Sequence, residues 1–277
     1  MFKRITIIGL GLIGGSLALA IKEKKLAKEV IGVSRRKSTI NQAIKNKIVD
    51  FATLDLEDGV KDSDFVIIAT PVFKIAKIAN QTAPFLKKGA ILIDAGSTKK
   101  YIVKSIEKTK LKDLYFVGSH PIAGSERSGI KSADKNLFKG AYCILTETKN
   151  TNPKALNKVK KFWGELGMKV RVMSVDAHDR LLSKISHLPH AVAVSLVNSI
   201  GREGIDLAAG GFQDTTRIAS GEPELWKDIF LTNKKNIVKD IGLLKKELFK
   251  IEAALKSNNS QDLLKLLGRA KSIRDSL

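Results

Sequence analysis

The first sixteen residues constrain this chain more than any other stretch. Arg4 to Leu10, RITIIGL, is a continuous apolar run, and it passes into Gly9, Gly11 and Gly14 in the spacing Gly-x-Gly-x-x-Gly. A helix-forming segment, LALAIKEKK, follows directly. The run predicts a strand buried on both faces, as in a parallel sheet. The first glycine allows a tight turn, the second lets a pyrophosphate approach the backbone, and the third lets the helix pack on the strand. Free N–H groups at the helix start then face the anion. Gly9, Gly11, Leu12, Ile13 and Gly14 are the expected pyrophosphate-binding residues.

The next strand, Val30 to Val33, should end beside the adenosine ribose of such a ligand. A carboxylate there would favour NAD, but this chain has Ser34, Arg35 and Arg36, followed by Lys37, Ser38 and Thr39. Guanidinium groups and hydroxyls suit a 2′-phosphate, so NADP is expected as the cofactor, with NAD possible. Two further strands, Phe65 to Ala69 and Ala90 to Ile93, end in Thr70 and Pro71 and in Asp94 to Lys99. Ligands gather at the carboxyl ends of parallel strands, which adds Thr70, Pro71 and Ser97 to the cofactor site.

A third such run, Tyr115 to Val117, empties into Gly118, Ser119 and His120, with Pro121 behind. Proline restricts the residue before it, so His120 is held extended, as suits a group meeting a substrate atom; capping a turn is the other reading. The sheet is expected to continue through Ala141 to Thr146 and Lys169 to Met173, with a helix over Pro153 to Leu166. At Ser174 strand-like runs stop and helical ones take over. This divides the chain into an α/β domain, residues 1–173, and an all-α domain, residues 174–277.

Val175 to Ile200 is predicted to be one helix, capped by Ser174 or Asp176 and Gly201 and kinked at Pro189. At about 100° per residue, Asp179, Ser183, Ser186, His187 and His190 share one face. His187 and His190 can be read as half of a metal site, as donors to an anionic substrate or as satisfied interior histidines. No cysteine accompanies them, which favours the anion, and no metal is expected. Asp179 is placed to hold the His187 tautomer. Gly210 to Thr216 is expected as a glycine-led loop, delivering Arg217 as a fork for a carboxylate, with Trp226 as an apolar wall. From Lys227 onward, amphipathic helices should form a bundle or a subunit interface.

The net charge of +21 invites a nucleic-acid reading. Lysine far outnumbers arginine, the charges are spread out, and aromatic residues are only 6%, so no nucleic-acid partner is expected. Hydrophobic content is 43% without a membrane-length run, and the first strand leaves no room for a leader, so a cytoplasmic protein without membrane contact is expected. The single cysteine, Cys143, sits in an apolar run and reads as a buried thiol.

The segments GLGLIGGS (9–16), DAGSTK (94–99), GSHPIAGSE (118–126), HDRLLSKISHLPH (178–190) and GGFQDTTRIASG (210–221) together resemble the prephenate/arogenate dehydrogenases. IGVSRRKST is similar to their NADP-using arogenate branch. The resemblance spans essentially the whole chain and implies a Rossmann-type dinucleotide-binding domain followed by a helical dimerisation domain. The implied activity is oxidative decarboxylation of arogenate to tyrosine, or of prephenate to 4-hydroxyphenylpyruvate, by a homodimer joined through the C-terminal helices. It implies that His120 and Ser97 are catalytic, Ser97 bonding both His120 and the ring hydroxyl. Arg217 would anchor a substrate carboxylate, His187 and His190 would be further contacts, Asp179 would support His187, and Ser125 and Glu126 would border the substrate side chain. Glu126 is a candidate for recognising an amino group, a role in a gate or in pairing with Arg217 being the other readings, and arogenate is the expected substrate. The alternatives are an NAD-dependent prephenate dehydrogenase and, more remotely, a β-hydroxyacid dehydrogenase. No fused mutase or regulatory domain is expected.

Overall fold

The computed structural model describes every residue except Lys110, Lys112, Ser125, Glu126, Glu203, Gly204 and Leu277. Strands β1 (Phe2–Ile8), β2 (Ala27–Val33), β3 (Phe51–Thr53), β4 (Phe65–Ile68), β5 (Ile91–Asp94), β6 (Tyr115–Ile122), β7 (Tyr142–Glu147) and β8 (Lys169–Ser174) form one sheet. Their spatial order is β3-β2-β1-β4-β5-β6-β7-β8. The helices are α1 (Leu12–Glu23), α2 (Lys37–Lys45), α3 (Leu56–Val60), α4 (Val72–Thr82), α5 (Lys100–Thr109), α6 (Pro153–Glu165), α7 (Val175–Leu182), α8 (Leu188–Ile200), α9 (Gly210–Thr216), α10 (Pro223–Thr232), α11 (Lys234–Lys256) and α12 (Ser260–Arg274).

Neighbouring strands from β3 to β6 pair in parallel, as the apolar runs predicted. β7 then runs antiparallel to β6, and β8 parallel to β7. Strand β3 was not legible because its three residues are exposed or half-buried and lack an apolar run. Side chains alternate between two cores, as strand geometry requires. Phe65, Ile67, Ile91 and Ile93 pack on one face with Leu17, Phe162 and Trp163, while Val66, Ile68 and Leu92 pack on the other with Ile75 and Ile102.

Two elements differ from expectation in ways that bear on the site. β6 does not stop at Gly118 but runs to Ile122, because β7 takes over its pairing where β5 ends; His120 opposes Ile144 and Pro121 opposes Cys143. His120 therefore sits inside a strand. The segment 175–200 begins as expected, with the Ser174 hydroxyl accepting from the Ala177 N–H at 3.2 Å. Between α7 and α8, however, a wide π turn covers Ser183–His187. Pro189 lacks the N–H that would bond to Ile185, so the tighter helical ladder opens just ahead of it.

Contacts divide the chain into two compact units, Met1–Asn233 and Lys234–Leu277. Strand gives way to helix at Ser174, yet the helices through α10 group with the sheet. The second unit pairs α11 with α12 across a turn in which the Asn259 side chain accepts from the Asp262 N–H at 3.1 Å. Leu248, Phe249, Leu255, Leu264 and Leu267 are exposed on it. Among the described residues no helix is long and apolar enough to cross a membrane.

The large core residue Trp163 is fully buried against Phe138 and Phe162. Trp163→Ala should lower stability by about 3–5 kcal/mol, read as a shifted denaturant midpoint at unchanged slope.

Candidate active site

The strand order reverses between β1 and β4, and a crevice opens at the carboxyl ends of the strands there. It holds about 440 Å³ and is lined by Gly9, Gly11, Ser34, Arg35, Arg36, Thr70 and Pro71, with Thr39 and Lys74 nearby. Gly9 has φ of +101°, and a Cβ on it would lie 2.5 Å from the Ala69 carbonyl oxygen. One on Gly14 would lie 1.9 Å from the Gly9 carbonyl oxygen, so these two glycines let turn, strand and helix meet. Gly11 has no heavy atom within 4 Å of its Cβ position, which leaves open ground over the start of α1, where Leu12 and Ile13 begin the helix. The buried Thr70 hydroxyl has no partner among the described residues. Open backbone, an unpaired hydroxyl and cations without a lining carboxylate fit a phosphorylated dinucleotide.

All four histidines of the chain are buried, and bonds and ring contacts link them into one cluster. His120 Nδ1 lies 2.9 Å from His178 Nε2, and His178 Nδ1 lies 2.8 Å from Asp179 Oδ1. The Asp179 carboxylate also accepts the N–H groups of Lys99 at 2.8 Å and Lys100 at 3.0 Å, which ties α7 to the loop after β5. Asn233 donates at 2.8 Å to the Asp179 carbonyl, and its Nδ2 is 3.0 Å from His187 Nδ1. His190 stacks on Trp226 at 3.5 Å and 7°. The fit depends on Gly221, where a Cβ would come within 2.3 Å of the Trp226 indole nitrogen.

Beneath the cluster, the Asp94 carboxylate accepts the N–H groups of Gly96 at 2.9 Å and Ser119 at 3.0 Å, and it pairs with the Lys99 ammonium. Lys99 is wholly buried and donates also to the Ser119 carbonyl at 2.7 Å. This pair clamps the end of β5 to β6 one residue before His120.

Burial dominates the protonation of these groups. It holds His120 well below the ordinary imidazole range, helped by the nearby His178, Lys99 and His187. Burial likewise lowers His178 against the pull of Asp179, lowers His190, and brings His187 down to about 4. For Asp179, burial pushes upward, but the His178 bond and the Lys99 and Lys100 amides more than offset it and keep the carboxyl low. All four imidazoles are therefore neutral at pH 7 over an ionised carboxylate.

The structure corrects two expectations and relocates others. The Asp179 carboxylate holds His178, not His187; a hydrogen-bonded route from Asp179 to His187 runs from its backbone carbonyl through Asn233, with the π turn lying between the two residues along the chain. Gly210–Thr216 is the helix α9 and not a loop. Asp179, Ser183, His187 and His190 are buried as the polar stripe predicted, with Ser186 half-buried. Ser97 is half-buried and makes no hydrogen bond to His120 among the described residues. Arg217 is exposed in a separate shallow hollow with Val197, Phe212 and Ser220. Ser125 and Glu126 lie outside the described residues. Sequence reading missed His178, Asn233 and the Asp94–Lys99 pair. The polarity of DAGSTK and the adjacent letters His178 and Asp179 were the only signals available.

Two family models match, one described as "Prephenate dehydrogenase, nucleotide-binding domain" over residues 17–172 and one as "Prephenate dehydrogenase, dimerization domain" over residues 174–269. A prephenate dehydrogenase of Bacillus subtilis is 36% identical, over 100% of this chain and 76% of its own length. The crystal structure of Aquifex aeolicus prephenate dehydrogenase with hydroxyphenyl propionate and NAD+ is 34% identical and matches with a TM-score of 0.93, over 100% of this chain and 98% of its own. Synechocystis arogenate dehydrogenase is 31% identical with a TM-score of 0.84, over 99% of both chains.

Asp94→Ala strands a buried ammonium and should cost about 3–5 kcal/mol, whereas the pair Asp94→Leu with Lys99→Met should cost much less; equilibrium unfolding distinguishes them. Acid should also weaken the fold. Between 6.5 and about 4 the unfolded chain binds a proton that folded His187 refuses, so the stability is full above pH 6.5 and is lost as pH falls towards 4. That one group accounts for about 3 kcal/mol, the other histidines act in the same sense, and His187→Gln should flatten the pH dependence of the unfolding free energy.

Proposed function

The chain belongs to the prephenate dehydrogenase family, and from that we propose that it oxidatively decarboxylates arogenate to tyrosine, with NADP supplying the hydride acceptor. The observation that carries this reading is His120: a neutral imidazole on β6, tied through Nδ1 to His178, with Nε2 making no hydrogen bond among the described residues.

In this reading His120 accepts a hydrogen bond at Nε2 from the hydroxyl on ring C4. As hydride leaves that carbon, the hydroxyl acquires positive character, which the imidazole disperses. The ring carboxylate departs as CO2, and its electron pair completes the aromatic ring, so no strong acid is needed and the step is effectively irreversible. Burial favours this chemistry, because a hydrogen bond to developing charge is strongest where water is scarce. Ser97, after β5, borders the same hydroxyl and the cofactor. His190, whose Nδ1 is buried without a partner among the described residues, and His187 are offered as polar contacts for the anionic substrate. Arg217 is proposed as the fork for a substrate carboxylate, and Ser125 and Glu126 as neighbours of the substrate side chain.

The cofactor choice rests on Arg35 and Arg36, which line the crevice beside Ser34. We also place the enzyme in the cytoplasm, where its one thiol, Cys143, stays reduced, as a homodimer joined through the C-terminal helices. The exposed Leu248, Phe249, Leu255, Leu264 and Leu267 support that dimer.

Initial rates with arogenate and prephenate, each with NADP and NAD, test the proposal. Turnover should be greatest with arogenate and NADP; prephenate with NAD as the best pair would overturn both choices. Replacing Arg35 and Arg36 by serine should raise KM for NADP by about 10–100-fold and leave KM for NAD nearly unchanged.

A further inference from the structure

Of the four histidines in the cluster, His178 alone has no role in the chemistry above, yet it is fully buried and bonded at both ring nitrogens. We propose that His178, held by Asp179, is a positioning residue that keeps the His120 proton on Nδ1 and so makes Nε2 the atom that accepts the substrate hydroxyl. The inference rests on the reading of His120 as the group that meets that hydroxyl.

The proton positions follow from the fixed donors. The backbone N–H groups of Lys99 and Lys100 can only donate, and they take Asp179 Oδ1 and Oδ2 at 2.8 and 3.0 Å. An ionised carboxylate accepts at every site, so the His178 Nδ1 at 2.8 Å from Oδ1 must carry a proton. A neutral His178 then has a lone pair on Nε2. The His120 Nδ1 lies 2.9 Å from that lone pair and must donate to it. The opposite tautomer of His120 would set two lone pairs against each other in a site too buried for water to intervene.

Burial acts in the same direction. The groups around His120 and His178 are Lys99 with its partner Asp94, Asp179, and His187. A protonated His178 would reverse the bond to His120; Asp179 and Asp94 pull towards that form, but burial, aided by Lys99, outweighs them and lowers His178. When positive charge grows at His120 Nε2, the Nδ1–H bond passes part of it through His178 to the Asp179 carboxylate. His178 thus fixes orientation and tautomer without touching substrate.

Nitrogen-15 NMR of histidine-labelled enzyme reads the proton positions directly, because protonated and bare ring nitrogens resonate far apart and single variants assign four imidazoles. In the wild type, His120 should show a protonated Nδ1 and a bare Nε2. His178→Leu should leave a mixture of His120 tautomers and lower kcat by about 10–100-fold with the cofactor KM unchanged. His178→Gln should restore most of that loss, since its amide can donate to Asp179 and accept from His120. A wild-type His120 protonated on Nε2, or a His178→Leu enzyme with unchanged kcat and tautomer, would overturn the proposal. If His178→Leu does not fold, the wild-type spectrum decides. A wild type inactive on both substrates would overturn the functional reading alone, with the spectrum still deciding the proton placement.

Discussion

The buried carboxylate of Asp179 is the joint on which the site depends. It accepts two amides at the start of α5 and one imidazole of its own helix, and its carbonyl receives Asn233. Helix α7 and the end of α10 are thereby fixed to the loop after β5, and Thr98 and Thr232 meet at 2.9 Å alongside. An ionised group in such a place is tolerable only because every bond made to it is a donor bond. Removing the charge would loosen the start of α5 and His178 at once, since the same three carboxylate contacts hold the loop after β5, the helix and the imidazole in register.

Two electrostatic settings stand near each other along the carboxyl edge of the sheet. The dinucleotide crevice is open and cationic, with Arg35, Arg36 and Lys74 and no carboxylate among its lining residues. The histidine cluster is dry and neutral, with the Asp94–Lys99 pair and the Asp179 carboxylate beneath it. Phosphates call for solvated cations, whereas a carbon that develops charge only briefly calls for fixed dipoles that need no reorganisation. One sheet provides both because its strand ends differ in depth: the arginines after β2 reach solvent, while His120 is enclosed within the β6–β7 ladder.

What could be read from the sequence was whatever local pattern determines. Apolar runs marked the strands, the glycine spacing marked the crevice, and the polar stripe on 175–200 marked a buried face. Hidden from it were the features set by a neighbour distant in sequence. His120 lies inside a strand because β7 pairs antiparallel there, and a π turn ahead of Pro189 lies between Asp179 and His187 where one regular helix was expected. Asn233 completes the cluster from a helix end that carries no motif. Lys99 is a buried brace, and nothing in the letters DAGSTK shows that Asp94 faces it. The family resemblance named candidate residues for the site but not the bonds between them.

The central assignment is that His120 meets the hydroxyl on the reacting carbon and takes no part in holding the dinucleotide, and His120→Asn examined by kcat and by dinucleotide titration of the protein fluorescence tests it most directly. A fall in kcat of about 10²–10⁴-fold with unchanged dinucleotide affinity is the predicted result. A kcat close to that of the wild type, or a loss that disappears once the dinucleotide is saturating, would contradict it.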